Sequence, residues 1–555
     1  MEGRHSPAGV RRAVPLETYR LPTNLLFARR YRKPEEILKR TLAVFLAVLI
    51  VPAAIIAAEK PKLVVAIAVD QFRYDYLLRF RAEYKQGLDR LLTRGAVFTN
   101  AYYQHFPTVT AIGHSTFLSG ATPSISGIVG NDWFERETGK SVTSVSDDAV
   151  KILGGAGAGE GGASPRRLLV STVGDELKIS DSGRSRAIGI SMKDRSAILP
   201  SGHMADAAFW FDHKTGSFIS STYYFSELPA WTSAFNAEHP ADHYKGSKWM
   251  SGRFDQAGEN LYNAVYNSPF GNELVEAFAE RAVEAEKLGQ RGVTDLLTIS
   301  FSSNDSVGHA LGPDSPEVHD ISVRTDQVLG TLFQFLDAKV GMENVLVVLT
   351  ADHGVSPVPE VNQARKMPGG RMPPRIVRDT VQAVLVKKYG EGNWISSPSE
   401  HSLYLNLELI REKKLDRAEV NQAAAEAAMG ISHVARVYTR EQLMKGAVLE
   451  DQISRRMMNG FYERRGADVY LLLEPYWMFS ADGTTHGTTY SYDAHVPVIF
   501  MGPGIKAGPF DETIAVNDIA PTLATLLGIE TPSGSVGRVL GEIFDRKNGN
   551  HKRAE

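Results

Sequence analysis

Five short runs of apolar residues, rich in Val, Ile and Leu, constrain the fold of this chain more than any other feature. Their apolarity is continuous rather than alternating, which is typical of strands covered on both faces of a parallel sheet. Helical patterns lie between them, at 74–94, 272–288, 317–339 and 518–527. This alternation predicts a doubly wound α/β fold, with a mainly parallel sheet and helices on both faces. The five predicted strands are 63–69, 187–191, 295–301, 345–350 and 496–501.

Composition excludes several classes of protein. The chain has 555 residues, of which 43% are hydrophobic and 23% charged, as in ordinary globular proteins and unlike disordered or polytopic membrane chains. It contains no cysteine, which excludes disulfides, thiolate zinc sites and a cysteine nucleophile. Residues 1–40 carry a net charge of +6 and the remainder −9. Because nucleic-acid-binding proteins usually present a basic face, we expect no nucleic-acid partner.

Residues 1–58 form a predicted leader. Lys39 and Arg40 precede an 18-residue stretch without charge at 41–58, which ends in small residues. This pattern favours a cleaved secretory signal; an uncleaved membrane anchor and a buried core helix are the alternatives. Signal and anchor both place residue 59 onward outside the cytoplasm, in the periplasm or secreted, with membrane contact only through an uncleaved leader.

Residues 59–545 are predicted to form one domain, and 546–555 a polar C-terminal tail. Two stretches interrupt the alternation of strands and helices. The stretch near 205–266 is rich in aromatic residues, and that near 355–474 mixes a Pro/Gly-rich segment with β-like and helical patterns. We expect both to be cap-like insertions over the ligand edge of the sheet. We favour a monomer.

Carboxylate and imidazole groups follow the predicted strands. Ligands of open parallel sheets bind beyond the carboxyl ends of the strands, so these groups are expected to meet at one edge. Asp305 and His309 are four residues apart, which places them on one side of a helix. Asp352 and His353 are neighbours that could serve one site or two adjacent sites. The candidates are Asp70, Asp305, His309, Asp352, His353 and His486.

Such a donor set suits zinc or another divalent metal. A catalytic zinc usually takes three protein ligands, so six candidates favour two metals, about 3.5–4 Å apart as in phosphoryl-transfer enzymes. Any one of these pairs in isolation is more often an ion pair or a helix N-cap. Their recurrence after independent strands favours the two-metal interpretation.

The segment 105–119 offers hydroxyls at Thr108, Thr110 and Ser115. A hydroxyl directed at a metal becomes a better nucleophile, and one that begins a helix lies where anions bind. The alternative is that these residues only cap a helix. His114 lies in an apolar stretch and is expected to be structural.

Three further side chains could hold a phosphoryl group. Asn131 is a neutral donor, and Lys193 and Arg195 follow the strand at 187–191. Their two-residue spacing points both side chains the same way if the chain stays extended. Arginine provides a bidentate fork for phosphate, and lysine a point charge. The alternative for this pair is a solvated turn.

Taken in order, these segments resemble the alkaline phosphatase superfamily. The resemblance is to the branch shared by nucleotide pyrophosphatases/phosphodiesterases and the phosphate-irrepressible, PafA-like alkaline phosphatases. Its motifs cover residues 63 to 487 and are AIAVDQFRYDYL, FPTVTAIGH, GIVGNDW, SMKDRSAI, SSNDSVGHALGP, TADHG and THGT. The resemblance implies an alkaline-phosphatase-like fold in which 59–545 is the catalytic domain.

The resemblance also implies two zinc sites. One zinc would be held by Asp70, Asp352 and His353, with the oxygen of the nucleophile Thr110. The other would be held by Asp305, His309 and His486.

The remaining roles follow from the same resemblance. Asn131 matches the phosphoryl-binding Asn, and Lys193 and Arg195 match a Lys-x-Arg pair that the diesterase branch lacks. The implied activity is that of an exported alkaline phosphatase, which hydrolyses small phosphate monoesters through a phosphothreonine intermediate. The alternatives are a phosphodiesterase or nucleotide pyrophosphatase that uses the same metals, and a non-enzymatic metal-binding protein.

Overall fold

An eleven-stranded mixed sheet forms the centre of the computed structural model, which describes residues 60–250, 252–399 and 401–545. The leader 1–58 and the tail 546–555 lie outside the described residues. Within the described ranges, no helix combines the length and apolarity needed to cross a bilayer.

Nineteen strands are present in the described residues. They are β1 (Leu63–Val69), β2 (Ala96–Tyr102), β3 (Asp132–Glu135), β4 (Lys140–Thr143), β5 (Ser146–Leu153), β6 (Gly161–Ala163), β7 (Ala187–Ser191), β8 (Ala207–Asp212), β9 (Ser217–Ser221), β10 (Asp295–Phe301), β11 (Val345–Thr350), β12 (Gly370–Arg371), β13 (Ile395–Pro398), β14 (Ser402–Leu405), β15 (Val434–Thr439), β16 (Val469–Leu473), β17 (Trp477–Met478), β18 (Val498–Met501) and β19 (Gly508–Ala515).

The α-helices of the same ranges alternate with these strands. They are Tyr74–Arg79, Gly87–Arg94, Thr110–Ser119, Pro123–Ser126, Val173–Ser180, Asp194–Ser201, Ala230–Ala237, Glu259–Tyr266, Pro269–Glu286, Ser303–Leu311, Pro316–Lys339, Pro359–Ala364, Pro374–Tyr389, Leu407–Glu412, Arg417–Met429, Arg440–Lys445, Gln452–Gly460, Ser491–Ala494 and Ile519–Leu527.

The central sheet has the strand order β19-β2-β18-β11-β1-β10-β7-β8-β9-β5-β6. Its middle strands, β11, β1, β10, β7 and β8, run parallel to one another. Four of the predicted strands have the bounds read from the sequence, which confirms the mainly parallel sheet. Both faces are covered, because successive residues of β8 enter different clusters: Phe209 and Phe211 enter one, and Ala208 and Trp210 the other.

The fifth predicted strand differs in direction. It spans Val498–Met501 and pairs antiparallel with both β11 and β2. Val498 lies opposite Thr350, the last residue of β11. The start of β18 therefore lies at the edge where the parallel strands end, which lets the preceding segment deliver His486 to that edge.

Part of the stretch near 205–266, predicted to be a cap-like insertion, joins the central sheet. Two strands of this stretch, β8 and β9, extend the central sheet beyond β7. The reason is that their aromatic residues bury on both sides of the sheet, so the sequence loses the simple alternation of an edge strand. Two helices, Ala230–Ala237 and Glu259–Tyr266, follow in the same stretch.

The stretch 355–474 builds a subdomain of its own. Four of its strands form a separate sheet, in the order β13-β14-β16-β15. Helices Pro374–Tyr389 and Arg417–Met429 pack on this sheet around a third cluster of buried side chains. Ser399, His401 and Tyr404 of this subdomain share a cavity with Asn131, so the subdomain adjoins the ligand edge.

Candidate active site

Three buried carboxylates meet at the carboxyl ends of the middle strands. Asp70 directly follows β1, Asp352 lies just beyond β11, and Asp305 is in the helix that follows β10. Both neighbours of β1 run parallel to it, so these ends are adjacent. All three carboxylates are buried. The predicted convergence of the carboxylates is therefore present.

Lys193 joins two of these carboxylates. Its Nζ atom lies 3.0 Å from Oδ2 of Asp70 and 2.7 Å from Oδ2 of Asp305, and its side chain is only 8% exposed. The interpretation of this segment as a solvated turn is wrong for Lys193, because the side chain is buried among acids. Its positive charge offsets part of the negative charge that the carboxylates bring into the core.

Gln71 links the carboxylates in a second way, which the sequence analysis missed. Its backbone N–H donates to Oδ1 of Asp352 at 2.9 Å, and its side-chain Nε2 donates to Oδ1 of Asp305 at 2.7 Å. The residue holds a φ of 61°, a backbone conformation that costs energy for a side chain other than glycine. No sequence pattern identifies such a role, since it depends on two long-range contacts.

Three imidazoles complete this part of the site. His309 lies one turn after Asp305, with Nε2 at 3.2 Å from Oδ1, so the predicted pairing is confirmed. Nε2 of His486 lies 3.2 Å from that of His309, and its Nδ1 lies 2.8 Å from the carbonyl oxygen of Thr108. The ring of His353 stacks on His486, with centroids 3.4 Å apart. Burial, followed by the charges of His353 and His309, holds the pKa of His486 well below its usual value.

Among the described residues, two groups of three ligands are close enough to hold a metal ion each. Within each group the donor atoms lie within 4.8 Å of one another. The first comprises Asp305, His353 and His486, and the second comprises Asp70, His114 and Asp352. This differs from the resemblance, which groups His353 with Asp70 and Asp352. Nε2 of His353 lies 3.2 Å from Oδ2 of Asp352, so this imidazole stands between the two groups.

His114, expected to be structural, thus lies among the candidate ligands. Its Nδ1 hydrogen-bonds the carbonyl oxygen of Thr110 at 3.0 Å, and its Nε2 lies 3.4 Å from Oδ1 of Asp70. In the described part of the chain, Nε2 of His114, Nε2 of His353 and Oδ2 of Asp352 are buried and form no hydrogen bond of acceptable geometry, although the last two lie 3.2 Å apart. Buried polar atoms of this kind fit a bound cation. The donor set of carboxylates and imidazoles fits a divalent metal.

The charges of the site keep Asp305 and Asp352 ionised. Burial raises the pKa of Asp305, but the charges of Lys193 and His309 outweigh it and hold that pKa well below its usual value. Burial also opposes ionisation of Asp352, and the charge of His353 nevertheless lowers its pKa. Burial lowers the pKa of His353, but the Asp352 carboxylate outweighs this and raises it to about 9. Asp305 and Asp352 are therefore anionic at neutral pH, as metal ligands must be.

Thr110 is the first residue of the helix Thr110–Ser119 and is buried beside these groups. The hydroxyls of Thr108 and Ser115 donate to backbone carbonyl groups at 2.8 and 2.9 Å. The structure therefore separates Thr110 from the other two candidate hydroxyls. Gly113 lets this helix approach Asp352, since a Cβ atom there would lie 2.1 Å from the Asp352 carbonyl oxygen.

Asn131 lies next to the start of this helix. Its Oδ1 accepts a hydrogen bond from the backbone N–H of Ala111 at 2.9 Å. This bond leaves the Nδ2 amide, which carries the donors, on the other side of the group. Asn131 also lines a cavity of about 490 Å³ between the sheet edge and the subdomain at 355–474.

Arg195 is placed differently from the prediction. Its segment is not extended, because a helix begins at Asp194. Lys193 precedes that helix, whereas Arg195 lies in its first turn, with Nη1 at 3.7 Å from Oδ1 of Asp194. Its side chain is 26% exposed, so it lies at the rim rather than among the carboxylates.

Comparison with known proteins identifies the family to which this chain belongs. Residues 64–495 match the family described as type I phosphodiesterase / nucleotide pyrophosphatase. The chain belongs to this family. Alkaline phosphatase PhoV of Synechococcus elongatus is 38% identical in sequence to this protein, over 87% of this chain and 93% of PhoV. Alkaline phosphatase PafA of Elizabethkingia meningoseptica is 36% identical, over 88% of this chain and 96% of PafA.

Comparison of the fold with solved structures also indicates the alkaline phosphatases within this family. The crystal structure of PafA matches with a TM-score of 0.83 and 35% identity, over 88% of this chain and all of that chain. A second PafA structure, equally similar, carries substitutions of a threonine, an asparagine, a lysine and an arginine. This family member is thus a PafA-like alkaline phosphatase, a phosphoric monoester hydrolase. The resemblance and the α/β fold inferred from the sequence are confirmed.

Proposed function

We propose that this phosphatase is exported, binds two Zn²⁺ ions and hydrolyses small-molecule phosphate monoesters through a phosphothreonine intermediate. The observation that carries the proposal is the pair of adjoining carboxylate–imidazole groups beside the helix that begins with Thr110. Two groups of donors at one sheet edge are what phosphoryl transfer with two metals requires.

The candidate ligands divide between two ions. Asp305, His309 and His486 would hold one ion. Asp70 and Asp352 would hold the other beside Thr110, and His353 stands within reach of both groups. When bound, the two ions supply charge that favours the ionised Thr110 hydroxyl and stabilises the departing oxygen.

Thr110 would act as the nucleophile. Its Oγ atom loses its proton and forms a bond to phosphorus, while the bond between phosphorus and the ester oxygen breaks on the opposite side. The alcohol leaves and takes up a proton, and phosphothreonine remains. Water then adds to phosphorus as the Oγ–phosphorus bond breaks, which releases inorganic phosphate and regenerates Thr110.

Asn131, Lys193 and Arg195 would hold the other phosphoryl oxygens. The Nδ2 group of Asn131 is the donor that its bond to Ala111 leaves available. Two cations complement the second negative charge of a monoester dianion, which a diester lacks. The PafA variant supports these roles, because its four altered residues have the same sequence spacing as Thr110, Asn131, Lys193 and Arg195.

A pair of chromogenic substrates tests this function. We expect zinc-loaded protein from residue 59 onward to hydrolyse p-nitrophenyl phosphate faster than bis-p-nitrophenyl phosphate, with both activities lost to a chelator. Replacing Lys193 and Arg195 together by Ala should reduce monoester hydrolysis far more than diester hydrolysis. Preference for the diester, or equal losses, would instead favour the phosphodiesterase alternative. Metal-loaded protein without turnover on either ester would favour the non-enzymatic alternative.

Export and the monomeric state are separate parts of the proposal. The uncharged stretch at 41–58 after Lys39 and Arg40 supports a secretory leader. N-terminal sequencing of protein recovered from the periplasm or medium should begin close to residue 59. Recovery in the membrane fraction with the leader intact would favour the anchor. Light scattering of the exported protein should give the mass of one chain.

A further inference from the structure

A cleft of about 440 Å³ opens at His309 and shares none of its lining residues with the cavity that contains Asn131. Among the candidate ligands in the described ranges, His309 has the most exposed side chain, at 35%, whereas that of Asp305 is 8% exposed. The cleft is thus an open route to the group that contains Asp305 and His486. Its wall includes the polar side chains of Asn267, Ser306, Ser480 and Asp482.

The position of this cleft relative to Thr110 indicates what enters it. In an in-line displacement the leaving group departs on the side opposite the nucleophile. Asp70 and Asp352 lie on the Thr110 side of the site, so the leaving oxygen would face the other proposed ligands, Asp305, His309 and His486. This step rests on the proposed function.

The loop that carries Asp482 is held against His309. The backbone N–H of Thr484 donates to the His309 carbonyl at 2.8 Å, and Nδ1 of His309 lies 2.8 Å from the Thr484 carbonyl oxygen. Gly483 makes the contact close, because a Cβ atom there would lie 2.1 Å from the His309 carbonyl oxygen. Asp482 therefore occupies a defined place at the mouth of the cleft.

The cation beneath this loop is already paired. Arg371 donates to the carbonyl oxygens of Ser480 and Gly483 at 3.1 and 2.9 Å. Its Nε and Nη2 atoms each lie 2.7 Å from a carboxylate oxygen of Glu360. Asp482 is the one carboxylate among the described residues that line the cleft. Asp482 therefore adds a negative charge to the wall of the cleft.

We propose that this cleft binds the alcohol portion of the substrate and that Asp482 selects it by charge. The hydroxyls of Ser306 and Ser480 already donate to Oδ1 of Asn267 and to the Asp482 carbonyl oxygen. Their oxygens can still accept hydrogen bonds, and the Asn267 amide can donate, so the wall suits an alcohol with further hydroxyl groups. The carboxylate of Asp482 repels leaving groups that carry phosphate or carboxylate, and attracts those that carry an amine. The favoured substrates are phosphate monoesters of neutral polyols and amino alcohols.

Three natural esters that differ in the charge of the alcohol test the proposal. We would compare kcat/KM for glycerol phosphate, phosphoethanolamine and 3-phosphoglycerate in the zinc-loaded wild type and in Asp482→Asn. The variant should raise kcat/KM for phosphoglycerate and lower it for phosphoethanolamine, each by about twofold to fivefold, as expected for one exposed charge. Glycerol phosphate should change little, and 0.5 M salt should shrink both effects.

Asp148→Asn is the matched control, because Asp148 is exposed on β5, near the far end of the central sheet. It should leave all three ratios unchanged. Equal changes for all three esters in Asp482→Asn, or no change in their ratios, would overturn the assignment of the cleft. Activity on p-nitrophenyl phosphate reports separately on the proposed function: its absence would refute that function, whereas an active enzyme with unchanged ratios would refute only the cleft.

Discussion

Replacing Lys193 by Met tests whether this cation substitutes for metal charge in the core. Its ammonium group contacts Asp70 and Asp305 at 3.0 and 2.7 Å, and each of the three side chains is at most 8% exposed. Methionine retains most of the volume and removes the charge. The metal-free variant then holds its buried carboxylates without the cation that contacts them.

The expected size of the effect follows from this burial. Removing one partner of a buried ion pair costs about 3–5 kcal/mol of unfolding free energy. Bound zinc supplies positive charge to the same carboxylates, so the zinc-loaded variant should lose less. If zinc spares about 2 kcal/mol, the thermodynamic cycle requires roughly thirtyfold tighter zinc binding by the variant.

The assay is chemical denaturation with chelator and with saturating zinc, together with a competition titration for zinc affinity. Lys178→Met is the matched control: that lysine is equally buried and pairs with Asp206 at 2.7 Å, outside the candidate ligands. Its cost should be the same with and without zinc. Unchanged or weaker zinc binding by Lys193→Met, with metal-free stability equal to wild type, would refute the reasoning.

Two further predictions concern residues around the site. Burial raises the pKa of Asp493 to about 7, so the folded state favours the protonated acid and stability falls as pH rises from about 4 through 7. At pH 8 the free energy of unfolding of Asp493→Asn should exceed that of the wild type by up to about 4 kcal/mol. Near pH 4 the two proteins should have similar free energies of unfolding. Equal unfolding curves in urea at pH 8 would contradict this prediction. Gly113→Ala should push the helix that begins with Thr110 away from Asp352 and lower kcat at least tenfold. Gly541→Ala is the control and should leave kcat unchanged, because there is open space around Gly541. Full activity of Gly113→Ala would exclude the close contact between the helix and Asp352.

Local patterns in the sequence determined the elements that carry the site. Short, continuous apolar runs rich in β-branched residues favour strands that are buried on both faces. The observed bounds of β1, β7, β10 and β11 are those predicted from the sequence. Once the segment is helical, the four-residue spacing of Asp305 and His309 places both side chains on the same side of the helix. The motifs and their order along the chain were sufficient to indicate the correct family.

Pairing between distant segments could not be predicted in this way. The direction of β18 and the addition of β8 and β9 to the sheet depend on which strand edges are available, and no local pattern contains that information. For this reason the prediction of a cap near 205–266 did not anticipate that β8 and β9 join the sheet. The subdomain at 355–474 was easier to recognise because it has its own sheet and its own core.

Only the tertiary structure decided the contacts inside the site. It turned Lys193 onto Asp70 and Asp305, brought His114 to Asp70, and placed Gln71 between Asp305 and Asp352. These outcomes depend on where buried charges find partners, since an unpaired charge in the core costs more free energy than any local preference supplies. The residue types and the edge where they meet are thus properties of the sequence, whereas their pairing is a property of the packed core.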